Sequence, residues 1–201
     1  MNEVRFLETK FGGWWCGVKL GDGHGDRDRR PEHPMRFCEA IAASRTSPIV
    51  LSPESLNCPG GSRAFGWNSE DETIAHDMAE KAAMDLAIAR KLVHDTPALK
   101  DDIAHVTVGT YDSPDVVVSY AQPEATMRVL RAWQGRDGGS LVTEASGFMS
   151  VCGAVAVKAH LTGNICISFG CPDARAHGAI GRDRLVVGLP AKEVHRFAGG
   201  L

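Results

Sequence analysis

Six cysteines, at positions 16, 38, 58, 152, 166 and 171, are the side chains of this sequence best suited to chemistry. Cys38, Cys58, Cys152 and Cys171 fall near the ends of expected helices or strands, where loops build sites. Cys16 and Cys166 lie inside apolar, strand-like runs and read as core residues, since cysteine buries readily. The stretch from Asn164 to Arg175 is the clearest case of a delivered thiol. A short apolar strand stops at Gly170, Cys171 follows, and Pro172 ends the strand because it lacks a backbone donor. Cys58-Pro59-Gly60-Gly61 is a second such turn, whose two glycines allow the backbone to approach a metal, a cluster or an anion closely. Cys38 lies near the start of a helix opened by Pro34, where the peptide dipole favours a thiolate. Taken singly, Cys38 is equally well explained as a small core residue, and Cys58 as part of a tight turn. The chemical case rests on the set.

Four thiolates can hold a tetrahedral zinc or an iron–sulfur cluster. Structural zinc usually takes ligands in close pairs such as C-x-x-C, and the closest pair here is Cys166 and Cys171. Dispersed single cysteines instead suit a [4Fe–4S] cluster held between segments that the fold has already positioned. The leading expectation is therefore a cluster used in electron transfer or in Lewis-acid or redox catalysis on a small molecule. Two alternatives stand beside it: a zinc-stabilised binding or scaffold protein, and a metal-free thiol redox protein. Arg36, Arg63 and Arg175 flank the cysteine loops and are candidates to offset the charge of a thiolate-bound cluster or to bind an anionic ligand. His177 and Lys158 are candidate proton donors. No glycine-rich nucleotide fingerprint, serine nucleophile elbow or HExxH is present, which disfavours those enzyme classes. The residues assign no reaction.

The elements that would carry these side chains follow from periodicity. Cys16–Leu20 reads as a strand, and the Gly-, Asp- and Pro-rich run 21–34 as a surface loop. A helix is expected from Pro34, a strand at 48–51, a loop over 52–66, and one long helix from a Ser69 cap to about Val93. Strands are expected at 106–111, 116–120 and 141–144. The continuous apolar run of the second marks a central strand covered on both faces. Pro123 opens another helix, residues 154–161 lean towards helix, and a last strand at 183–190 precedes a short C-terminal helix. The order predicts an α/β (or α+β) fold with a mixed sheet built from two βαβ-like halves. One domain over 1–201 is expected, with halves at 1–95 and 105–201. The two Cys-Pro turns raise the prospect of a pseudo-two-fold between the halves, although chance similarity of two βαβ units explains them too.

A net charge of −3 and a pI near 6.2 point to neither nucleic acid nor a membrane surface. Arg27, Arg29 and Arg30 alternate with aspartates and form a solvated run rather than a phosphate-binding stripe. The N-terminus lacks the apolar core of a signal peptide, and no apolar run approaches the roughly 20 residues of a membrane helix. A cytoplasmic location is expected, where cysteines are more often free, metal-bound or redox-active than disulfide-paired. The expected partners are a redox protein or a small-molecule ligand, and assembly of like chains is compatible with the sequence.

The segments RFCEAIAAS, SPESLNCPGG with Ala64-Phe65-Gly66, DVVVSYAQPEATMRVLRAW, VCGAVAVKAHLTGNICISFGCPDAR and DRLVVGLP resemble the family known as domain of unknown function 169. That family is widespread in anaerobic bacteria and archaea. The resemblance runs from about Val18 to Leu201 and is strongest over the last third. It implies that Cys38, Cys58, Cys152 and Cys171 belong together, because these match the family's recurring cysteines. It implies no particular reaction. The family carries prolines before the first strand, where this chain has Trp14-Trp15-Cys16.

Overall fold

The structure, a computed structural model, describes residues 2–21, 29–67, 70–100, 103–109, 113–137, 141, 143 and 146–199. Six strands form one sheet: β1 (Trp15–Leu20), β2 (Ile49–Leu51), β3 (Val106–Val108), β4 (Val116–Ala121), β5 (Cys166–Ser168) and β6 (Leu185–Pro190). Their order is β2-β3-β1-β4-β6-β5, and every pairing between them is antiparallel. This corrects the expected mixed sheet. β1 and β2 flank a helix, as a βαβ unit would, but β3 inserts between them and runs against both. β6 does the same between β4 and β5. Strands from residues 1–95 and 105–201 therefore interleave in a single sheet. Strand order by itself does not show a two-fold axis.

Helices cover both faces. α1 (Glu3–Phe11) is capped by Asn2, whose side chain accepts from the Arg5 N–H at 3.0 Å, and it buries Val4, Leu7 and Phe11 at helical spacing. It packs with α6 (Pro123–Asp137) and α9 (Ala191–Val194) over Trp15, Val117, Val187 and Leu189 on one face. The other face carries α2 (Phe37–Ala43), α3 (Pro59–Ala64), α4 (Asp71–Ala82), α5 (Leu86–Asp95), a π-helix (Cys152–Val157), α7 (Lys158–Thr162) and α8 (Pro172–His177). Its core includes Cys16, Val18, Phe37, Ile41, Phe65, Val116, Val118 and Val186. β4 shows why its sequence is unbroken by charge. All six residues are buried, Val116 and Val118 towards one core and Val117 and Ala121 towards the other.

Several local expectations changed. The single helix over 69–93 is two, α4 and α5. Ala83 turns left-handed at φ 49°, and Asp85 caps the second helix by accepting from Ala87 and Ile88. Ser69, the expected cap, lies outside the described residues, as do Thr110 and Tyr111 of the longer strand expected at 106–111. Of the strand expected at 141–144, Leu141 and Thr143 are not in a strand and the other two lie outside the described residues. The loop at 52–66 contains α3. Among the described residues, no helix is long and apolar enough to cross a membrane.

Candidate functional site

Cys38, Cys58, Cys152 and Cys171 line one cavity of about 620 Å³ on the α2 face of the sheet. Each enters it from the start of a different helix. Cys38 is the second residue of α2, and its carbonyl accepts a 3.0 Å hydrogen bond from the buried Tyr120 hydroxyl at the end of β4. Cys58 and Cys171 are the residues just before α3 and α8, each followed by a proline in the first helical position, where a missing N–H costs nothing. Cys152 opens the π-helix, and its thiol faces the Gly60 and Met149 carbonyls at 3.8 and 3.6 Å. An i→i+5 turn of this kind is rare and recurs at functional sites. Glycines bring the walls together: a Cβ on Gly178, at the end of α8, would sit 3.0 Å from the Cys38 Cβ. The rest of the wall is mostly apolar, with Phe37, Ile74, Met78, Phe148, Met149 and Val151. Arg36, Asp173, Asp77 and Lys81 supply the charge.

Burial dominates the electrostatics. It pushes the Cys38 thiol from 9.0 up to about 12, and the neighbouring Cys171 and Cys58 thiols push the same way. Cys152 is driven well above its ordinary value by burial first, then by Cys58 and Cys171. Cys58 is raised by burial, with Asp173 and Cys171 adding to it against a hydrogen bond from the Gly61 backbone. The thiols are thus near enough to oppose one another's ionisation. Yet among the described residues no three His, Cys, Asp or Glu side chains form a group that could hold a metal ion. Burial thus favours the protonated, poorly nucleophilic form of Cys38, Cys58 and Cys152.

The sequence profile of a known family matches residues 17–199. The chain belongs to the DUF169 family. That family's description is "Uncharacterised ArCR". The DUF169 chain is also similar to "Uncharacterized protein MJ0308" of Methanocaldococcus jannaschii, with 22% identity covering 96% of this chain and 87% of the relative. No solved structure matches it.

The three expected arginines separate. Arg36 lines the cavity and approaches Asp173 at 3.9 Å. Arg63, only 9% exposed, donates to Asp71 at 2.7 Å and to the Thr96 carbonyl at 2.8 Å, so it ties α3 to α4 and to the end of α5. Arg175 donates to the carbonyls of Phe169, Gly181 and Arg184 and closes the loop after α8. Neither Arg63 nor Arg175 lines the cavity, and neither do His177 and Lys158. Cys16 is buried on β1, 3.5 Å from the Ser44 hydroxyl, and Cys166 on β5 faces the Asn164 carbonyl; both are core residues. Sequence reasoning missed the α4 wall. Its signal was present: Thr73, Asp77 and Lys81 repeat at i, i+4 beside the apolar stripe of Ile74, Met78 and Ala82.

Proposed function

We propose that this chain binds an iron–sulfur cluster of the [4Fe–4S] type through Cys38, Cys58, Cys152 and Cys171. The observation that carries the reading is their joint presence in one apolar cavity, as four thiols brought from four separate segments. The donor set fits. A bound cation would offset the burial that raises Cys38, Cys58 and Cys152 and favour their thiolates. Four single cysteines on four separate segments suit a polynuclear group, whereas structural zinc usually takes ligands in close pairs. The raised thiols of Cys38, Cys58 and Cys152 count against any of these three as the activated thiol of the metal-free redox reading. A cluster would supply one-electron transfer or a Lewis-acidic iron. The chain's own part is to exclude water with Phe37, Phe148 and Met149, and to place the Arg36 guanidinium near the thiolates.

We further propose that the cavity lies between two halves, one running from β1 to β3 and the other from β4 to β6, related by a pseudo-two-fold. The strand order reads symmetrically about the β1–β4 pair, with β3 answering to β6 and β2 to β5. In each half a helix bearing a cysteine precedes the edge strand, and a Cys-Pro helix follows it. The contacts are crossed in the same sense: α2 packs on α8, and the π-helix packs on α3. Each half then contributes two thiols.

Anaerobic purification with iron, sulfide and zinc analysis tests the cluster. About four irons and four sulfides per chain, with a broad band at about 400 nm, is the expected result. Stoichiometric zinc in colourless protein would move the site to a structural role. Protein free of all three after anaerobic handling would remove both metal readings.

A further inference from the structure

The cavity extends beyond the four cysteine-bearing segments to α4, with Thr73, Ile74, Asp77, Met78, Lys81 and Ala82 on its wall. At about 620 Å³ it falls within the roughly 300–1,000 Å³ of small-molecule pockets. Its additional wall is α4, and that helix is where the two halves differ. In the first half α4 and α5 stand between α3 and β3, whereas the chain passes from α8 to β6 through residues 178–184 without a helix. The part of the cavity that departs from the proposed symmetry is therefore the part able to distinguish one ligand from another.

Arg36 has the mark of an unfinished recognition group. Its Nε is shielded from solvent and has no hydrogen-bond acceptor. The nearest carboxylate, Asp173, stands 3.9 Å away, beyond hydrogen-bonding distance. A buried donor without an acceptor is unfavourable, and a ligand oxygen would relieve it. The other cation lining the cavity, Lys81 of α4, is already paired with Asp77 at 2.8 Å.

We propose that the α4 side of the cavity binds a small monocarboxylate with an apolar body. The carboxylate accepts from Arg36, and the body lies against Ile74, Met78 and Phe148. A guanidinium matches a carboxylate by parallel hydrogen bonds. Arg36 and Lys81 already face Asp173 and Asp77, so each further negative charge on a ligand is uncompensated, which disfavours a phosphate dianion more than a monoanion. This inference rests on the cluster reading only for placing the ligand beside iron.

The test is calorimetric titration of the anaerobically purified chain, carrying its native metal, with benzoate and hexanoate, against benzamide, hexanamide and phenyl phosphate. Saturable binding of at least one carboxylate is expected, with its amide and the phosphate ester at least tenfold weaker. Arg36→Gln should weaken the carboxylate at least tenfold, while Arg36→Lys recovers part of it. Met78→Trp, which fills the pocket without touching a charge, should abolish binding while iron content stays at the wild-type level. Equal affinity for acid and amide, no binding of either carboxylate, or binding indifferent to both Arg36→Gln and Met78→Trp would overturn the proposal. Metal analysis of the same samples separates the two readings. Iron-free protein that binds benzoate through Arg36 would overturn the cluster and keep the pocket. Protein with four irons that binds none of the probes would overturn the pocket alone.

Discussion

A thiol surrounded by other thiols and by apolar side chains either keeps its proton or gives it up to a cation. Replacing any one of Cys38, Cys58, Cys152 or Cys171 by alanine should therefore lower iron and sulfide content sharply, whereas Cys166→Ala should leave them near wild type. Metal analysis of the five variants reads this directly, and equal iron loss in Cys166→Ala would count against the assigned set. Cys16 allows a pH prediction clear of the metal. Burial raises its thiol from 9.0 to about 12, with hydrogen bonds from Ser44 and the Gly109 backbone acting in the opposite direction. Because the folded value is the higher one, the stabilisation is complete below 9 and is lost as pH rises towards 12. Ionising this thiol inside the fold costs on the order of 4 kcal/mol. Urea midpoints followed across that window should fall more steeply for the wild type than for Cys16→Ala; parallel slopes would assign the alkaline loss elsewhere. The residue types were themselves legible. Proline after Cys58 and Cys171 marked two of the cavity cysteines, and an apolar run marked Cys16 and Cys166 as core, because each pattern has its own backbone consequence. The fates of Arg63 and Arg175 were not, since a guanidinium's partner is chosen by three-dimensional neighbours that flanking sequence does not name.

Two close approaches decide how well the elements hold the site. α8 meets α2 at Gly178, where a Cβ would come within 2.7 Å of the Ala174 carbonyl and 3.0 Å of Cys38. Gly178→Ala should cost about 1–3 kcal/mol as an overpacked contact. It should also weaken iron retention, because it pushes Cys38 away from Cys171; chemical denaturation and iron content measured on one preparation would show both. The α4–α5 break makes the opposite prediction. Ala83 holds a left-handed conformation that a side chain disfavours, so Ala83→Gly should stabilise the chain by about 1 kcal/mol. An unchanged or lower urea midpoint would refute that. This break escaped sequence reasoning because the apolar spacing continues through it from Ile74 and Met78 to Leu86 and Ala89. The stop comes from Ala83 and the Asp85 cap, and alanine is otherwise the best helix former. α1 was missed for a related reason: its three buried residues, Val4, Leu7 and Phe11, are a thin stripe in a short, charged segment.

In the whole molecule, the sheet and the α1–α6–α9 layer have an apolar core that includes none of the four site cysteines, while the opposite layer converges on them. Removing the metal from the proposed holo form should therefore loosen one layer and spare the other. Hydrogen exchange is expected to rise in α2, α3, α8 and the π-helix, and to stay slow in β4, β6 and α1. Uniform loss of protection would mean that the site is not confined to one layer. Strand identities were largely readable from apolar runs. Their directions were not, because β3 and β6 insert between strands that the sequence joins through helices, and no local pattern records an insertion. That insertion bears on how the protein is made. β6 is the last strand to leave the ribosome, yet it sits inside the sheet between β4 and β5. Until it emerges, β5 lacks its strand partner and one side of β4 is unpaired among the described strands, although all four cavity cysteines have already been synthesised. The nascent polypeptide thus carries all four cavity thiols before the sheet behind the cavity is complete, and on the proposed cluster reading faithful loading belongs to the interval after residue 190 is released.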